Sequence, residues 1–250
     1  MGVLADHQIR KRCRPQQVMS NEMDGSLVSL PPMLDPFNDS QVEPASYDVL
    51  LGHDFLVFER DDTPVIDTHN VVDITKPVTV SQGGYFLMHP GEFALGRTLE
   101  AVNIPNDLVA RIEGKSTIGR LGLMIHITAG YIDPGFRGPI TLELYCVHPL
   151  PVMIYPGDRI AQLSFHEMSS SPSRPYQGRY QDAQTVEASK ARSDFNIERH
   201  GPARIDPSDG NAYVLERPIL PGSMNAYITD IMGGHARAIS VSQWFRWEFA

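Results

Sequence analysis

Three short stretches concentrate the residues able to do chemistry. In "EGKSTIGRLG", residues 113–122, Lys115, Ser116, Thr117 and Arg120 fall within what reads as a single helical turn. Two hydroxyls, the free N–H groups of a helix start and two flanking cations suit a phosphate chain. The stretch reads equally as an N-capped turn with a solvated lysine and arginine. It is not a Walker loop, because Val109 stands where the first glycine of Gly-x4-Gly-Lys-Ser/Thr must be. In "YIDPGF", Asp133 either accepts a hydrogen bond from a sugar hydroxyl or simply forms an Asp-Pro turn. In "PITLELYCV", period-two alternation puts Ile140, Leu142, Leu144 and Cys146 on one face and Thr141, Glu143 and Tyr145 on the other. Glu143 thus interrupts an apolar strand, either exposed at its rim or held in a cavity as an acid or base.

The elements that would position these groups are mostly strands. "ADHQIRKRC" reads as a short amphipathic helix with Ile9 on its apolar side. Residues 15–44 read as irregular loop with at most one strand. From Tyr47 to Glu167, runs such as "YDVLLG", "FLVF", "YFLM", "FALGRTLEAV", "LVARIEG", "LMIHIT", "ITLELYCV", "PVMIY" and "IAQLSFHEM" alternate with Gly, Pro and Asp turns. Many short strands without a long helix between them predict a mainly β fold, a distorted barrel or jelly-roll-like sandwich. The expected divisions are an N-terminal segment 1–46, a barrel 47–168, a flap 169–194 and an extension 195–250. Residues 169–194 are too polar for a core of their own, so they read as either a disordered tail or a flap ordered by ligand. The extension ends in "QWFRWEF", an aromatic cluster expected to pack on the barrel or on a neighbouring copy.

Bulk properties exclude several classes. A chain of 250 residues with 42% hydrophobic and 20% charged residues has the balance of one soluble domain with appendages. A net charge of −9 argues against broad nucleic-acid binding, so any cationic site must be local. Two cysteines, Cys13 and Cys146, provide neither a disulfide framework nor a cysteine zinc site and fit a reducing cytosol. No apolar run is long enough for a membrane span, so no membrane partner is expected and a cytoplasmic location is. A zinc cytidine-type deaminase needs His-x-Glu and Pro-Cys-x-x-Cys, and neither occurs. "HEMSS" places Ser170 where a zincin has its second histidine, so it reads as a strand end.

"GKSTIGRLGLMIHITAGYIDPGFRGPITLELY" followed by "PGDRIAQLSF" resembles the dCTP deaminase branch of the dUTPase-like superfamily. The likeness extends through "LDPFNDSQVEPASYDVLLG" and "YFLMHPGEFALGRTLEAVNIPNDLVARIEG" and spans roughly residues 1–190. It implies a dUTPase-type distorted β-barrel, a homotrimer with active sites between subunits, and zinc-free hydrolysis of the 4-amino group of dCTP. Magnesium would accompany the triphosphate and no protein metal site is implied. A dTTP feedback inhibitor is a further implication.

Position by position, the resemblance makes Glu143 the general base. Ser116, Thr117 and Arg120 would hold phosphates, with Lys115 where many relatives have Arg, and Gln162 would join them. Thr128 and Ala129 would border the pyrimidine, and Asp133 would bind the deoxyribose 3′-hydroxyl. Arg179, Tyr180 and Gln184 would come from the flap. The flap departs from the usual Tyr-Gln-x-Gln by one extra residue before Gln184. Tyr131, where the simple dUTP-forming enzymes have Arg, and "RIAQL" look more like bifunctional members that proceed to dUMP and diphosphate. A plain dUTPase is a rival, but Phe136 stands where those enzymes have Tyr. A non-catalytic nucleotide-binding regulatory barrel is the third reading.

Overall fold

Alternating apolar and polar residues between Gly, Pro and Asp turns give an antiparallel β structure. The computed structural model describes residues 2–14, 16–19, 27–59, 66, 68 and 71–191. Helix α1 (Asp6–Cys13) is followed by β1 (Gln16–Met19), β2 (Leu27–Leu30), β3 (Leu34–Asp35), a 3-10 turn (Asp39–Gln41) and β4 (Val42–Glu43). Next come β5 (Ser46–Leu50), β6 (Asp54–Phe58), β7 (Thr75–Thr79), β8 (Phe86–Met88), β9 (Phe93–Asn103) and β10 (Leu108–Gly114). The one-turn helix α2 (Ser116–Gly119) precedes β11 (Leu123–Met124), β12 (Tyr131–Ile132), β13 (Arg137–Cys146), β14 (Val152–Ile154) and β15 (Arg159–Glu167).

One sheet has the order β12-β10-β15-β5-β4, and the other the order β11-β13-β9-β6-β7, with β3 also on β9. Strands β8 and β14 pair separately, as do β1 and β2. The inward faces of both large sheets meet in one core containing Tyr47, Leu108 and Phe165 from the first and Phe55, Leu142 and Leu144 from the second. A bridge between Leu51 and Thr98 links the sheets at one corner, so the sandwich closes toward a barrel.

The expected helix over "ADHQIRKRC" forms, with Ile9 and Cys13 buried. The expected alternation on β13 also forms, with Ile140, Leu142, Leu144 and Cys146 inward. Two local expectations fail. Residues 15–44 hold β1 through β4 rather than at most one strand. "LMIHIT" keeps only Leu123–Met124 as strand before the chain leaves the sheet. Beyond the runs singled out in the sequence, "TKPVT" forms β7 with Pro77 in it, which is tolerated because β7 is the outer strand of its sheet.

Beneath the sheets lies a buried polar network. Glu100 on β9 accepts from Gln41 Nε2 at 2.6 Å and from the Leu50 amide at 2.9 Å. Gln41 also donates to the Asp48 carbonyl at 2.7 Å. Burial pushes the Glu100 carboxyl above its ordinary value of 4.5, outweighing the donors from Leu50 and Gln41. A raised carboxyl pKa makes its stabilising contribution fully present below about 4.5 and loses it as pH rises through the folded-state value. The melting temperature of the wild type relative to Glu100→Gln is therefore expected to fall as pH rises from acid toward neutral. A pH-independent difference would contradict this.

Residues Met1–Asp61 with Asp73–Ala188 form one compact unit. Asp62–Val72 with Ser189–Ala250 form a second, in which Ile66 and Val72 are exposed. The extension 195–250 with its "QWFRWEF" cluster lies outside the described residues, as does the end of the flap at 192–194.

Candidate active site

The ribbon from Lys115 to Asp133 crosses from one sheet to the other. It leaves β10 as α2, joins the second sheet as β11 against β13, and returns as β12 against β10. Gly122 allows this turn: its φ is +72° and a side chain there would meet His148 at 2.8 Å. The end of the ribbon is tied down where the Ile112 amide donates to the Gly130 carbonyl at 2.9 Å.

Glu143 projects from β13 beside this ribbon, opposite Leu95 in register and half-buried. Its Oε2 accepts from both the amide and the hydroxyl of Thr128, each at 3.0 Å. Oε1 has no protein partner among the described residues. One oxygen is therefore pinned in orientation and the other is available to a water or a ring. Thr128 and Ala129 are exposed, so the face next to Glu143 is open. Two residues before Thr128, both ring nitrogens of His126 are buried without a partner among the described residues. Leaving such a group unsatisfied costs about 1–3 kcal/mol.

A second group gathers cations around a carboxylate that the sequence reading missed. Asp48 on β5 has a fully buried side chain. It accepts from Lys115 Nζ at 2.5 Å, Arg159 Nη1 at 3.3 Å and Gln162 Nε2 at 3.1 Å. Arg159 and Gln162 are three residues apart and would face opposite sides of a regular strand. A register shift between Arg159 and Ala161 lets both reach Asp48. Arg159 also donates to the Ser40 carbonyl at 2.6 Å. A lone Asp inside the apolar run "YDVLLG" was the available signal for Asp48, but the bulge left no mark in the sequence.

Ser116, Thr117 and Arg120 lie exposed on α2 and its C-terminal end, and Arg120 has no ion-pair partner among the described residues. Asp133 is exposed, its carbonyl accepting from the Phe136 amide at 3.2 Å to close the Asp-Pro turn. Tyr131 is 60% exposed and lies across from Arg111 on β10. The flap residues follow a different course. The Tyr180 amide donates to the Tyr176 hydroxyl at 3.4 Å, and Arg179 is half-buried next to it. Gln184 is exposed and donates to the Asp182 carbonyl at 2.9 Å. The structure thus brings Glu143 to Thr128, and Lys115 to Gln162, while Gln184 engages its own loop.

Among the described residues no group of three or more His, Cys, Asp or Glu is arranged to hold a metal ion. Cys13 is buried, which pushes its thiol up to about 12 and leaves it unreactive. The chemistry available is a positioned carboxylate beside an open face and a cluster of cations suited to an anionic chain.

The family model described as dCTP deaminase-like matches residues 26–168. The chain is 46% identical over 169 residues to "dCTP deaminase, dUMP-forming" of Beutenbergia cavernae, covering 65% of this chain and 88% of that one. It is 44% identical over 186 residues to the protein of the same name from Halobacterium salinarum, covering 72% and 94%. A Haloarcula marismortui protein named "dCTP deaminase" is 44% identical over 177 residues, covering 68% and 89%. Among solved structures, the 2′-deoxycytidine 5′-triphosphate deaminase of Agrobacterium tumefaciens aligns with 67% of this chain at TM-score 0.46 and 23% identity. The chain spans about half the length of that structure, 48%. With more than half its residues inside the matched region and relatives aligned over most of their own lengths, the chain belongs to the dCTP deaminase-like family.

Proposed function

We propose that this chain hydrolyses the 4-amino group of dCTP to give dUTP and ammonia. The observation that carries the reading is Glu143, held through one oxygen by Thr128 with its other oxygen unpartnered among the described residues. In this mechanism Oε1 takes a proton from water while the hydroxide forms a bond to C4. Glu143 then gives that proton to ring nitrogen N3, and next moves the proton of the new C4 hydroxyl to the amino group as the C4 carbonyl forms. The C4–N bond breaks, ammonia leaves, and one water is consumed. A fixed carboxylate supplies roughly 10²–10⁴-fold of such a rate, with orientation providing the rest.

Ser116, Thr117, Lys115, Arg120 and Gln162 would hold the triphosphate, with Asp48 fixing Lys115 and Gln162. Thr128 and Ala129 would border the pyrimidine and Asp133 the 3′-hydroxyl. Arg179, Tyr180 and Gln184 would approach from the flap. Magnesium would be carried by the phosphates. A cytoplasmic location and feedback by dTTP belong to the same reading.

A second outcome, hydrolysis onward to dUMP and diphosphate, is favoured by the "dUMP-forming" names of the Beutenbergia and Halobacterium relatives. Tyr131 and Gln162 fit it as well. Incubation with dCTP and magnesium, following ammonia, dUTP, dUMP and diphosphate together, separates the two. Absence of ammonia would reject both.

A homotrimer is part of the proposal. Leu121, Met124, Ile127 and Tyr131 are exposed along the ribbon that carries the site, an apolar display suited to cover by a second copy. Light scattering is expected to give three times the chain mass. A monomeric mass would contradict it.

A further inference from the structure

The stretch 175–188 is fastened to the barrel at three places. Upstream, the Tyr176 amide donates to the Pro134 carbonyl at 2.8 Å and its ring packs edge-on against Phe136 at 5.6 Å. Downstream, Val186 is buried against Leu56 and Leu95. The middle fastening is the most specific. Arg137 donates from Nε and Nη2 to the two carboxylate oxygens of Asp182, both at 2.9 Å. The Arg137 amide donates to Gln181 Oε1 at 3.0 Å, and the Asp182 amide to the Arg137 carbonyl at 2.9 Å. Gln181 Nε2 closes the set by donating to the Gly135 carbonyl at 2.8 Å.

Two backbone features show that this contact is built rather than incidental. Asp182 is the one non-glycine residue with a positive φ, 58°, among the described residues. Asp tolerates that conformation better than most side chains. It places the carboxylate on Arg137. Gly138 has φ +130°, and a side chain there would lie 3.1 Å from the Ala183 carbonyl. Only glycine lets the strap lie this close to β13.

The consequence concerns the loop 177–180. Its two ends, Tyr176 and Gln181–Asp182, are fastened to the same stretch, 133–137, which begins with Asp133. We infer that Arg137 is a positioning residue. Through Asp182 and Gln181 it holds the loop bearing Arg179 and Tyr180 in register with Asp133, so that the nucleotide is met by a preformed surface. This rests on the dCTP reading for its ligand but not for the latch itself. Arg137 and Asp182 are both more than half exposed. The ion pair therefore tunes binding rather than folding.

The test uses Arg137→Gln, Asp182→Gly and the double variant. Glycine keeps the left-handed backbone and removes only the carboxylate, so a misfolded strap is not confounded with a lost pair. Without nucleotide, amide exchange across 176–188 is expected to accelerate about fivefold in each, near the most that an exposed ion pair supplies. With dCTP, KM is expected to rise by a similar factor with kcat unchanged, and the double variant to match the singles. A fall in melting temperature with unchanged KM and exchange would overturn the inference, as would additive effects in the double variant. Accelerated exchange in a protein whose wild type does not turn over dCTP would reject the ligand and leave the latch standing.

Discussion

Glu143→Gln is expected to lower ammonia release from dCTP by roughly 10²–10⁴-fold while leaving nucleotide affinity near that of the wild type. The asymmetry follows from how Glu143 is held. The two donors from Thr128 converge on one oxygen, and a glutamine carbonyl can accept both, so the side chain keeps its place. What it loses is a basic oxygen to take the proton from water. A steady-state assay paired with a binding titration separates the two effects. Ammonia release at the wild-type rate would remove Glu143 from the mechanism. Loss of binding together with turnover would mean that Glu143 serves the shape of the site rather than the proton transfer.

Asp48→Ala is expected to cost about 3 kcal/mol of stability, because it strips the carboxylate from beneath two cations. Lys115 retains 21% and Arg159 38% side-chain exposure, so partial hydration places the loss at the lower end for a broken buried pair. Lys115 and Gln162 should lose their fixed positions in the same variant, and nucleotide affinity should fall with stability. Urea unfolding at a fixed protein concentration, without nucleotide, measures the first effect, since association would otherwise shift the midpoint. Unchanged stability would show that Asp48 is not the keystone of the cationic group.

The sequence made β13 and its odd carboxylate legible because strict alternation over ten residues leaves little choice of face. It made α2 legible as a single turn, since in "STIGRLG" a glycine follows each of the two apolar residues, Ile118 and Leu121. It did not reveal the Asp48 group. That group depends on a bulge in β15 and on strands more than a hundred residues apart, as in the Arg159 to Asp48 pairing. Gln41 and Glu100 were invisible for the same reason: each looks like a surface residue until the sheets close over it. Residues 125–128 of the ribbon were misread as strand because "IHIT" has strand composition. Its backbone instead turns away to bring Thr128 to Glu143, a tertiary demand that overrides local preference. The flap's irregular spacing was visible, but the aspartate in a left-handed conformation bound to Arg137 was not.

The most direct test of the central claim is turnover of dCTP in heavy-oxygen water, with mass analysis of the nucleoside and phosphate products separately. Attack of water on C4, directed by Glu143, predicts heavy oxygen at the 4-position of uracil, whether dUTP or dUMP is the final nucleotide. Heavy oxygen appearing only in dCMP phosphate or diphosphate, with the base still cytosine, would contradict deamination and assign the site to phosphate-ester hydrolysis.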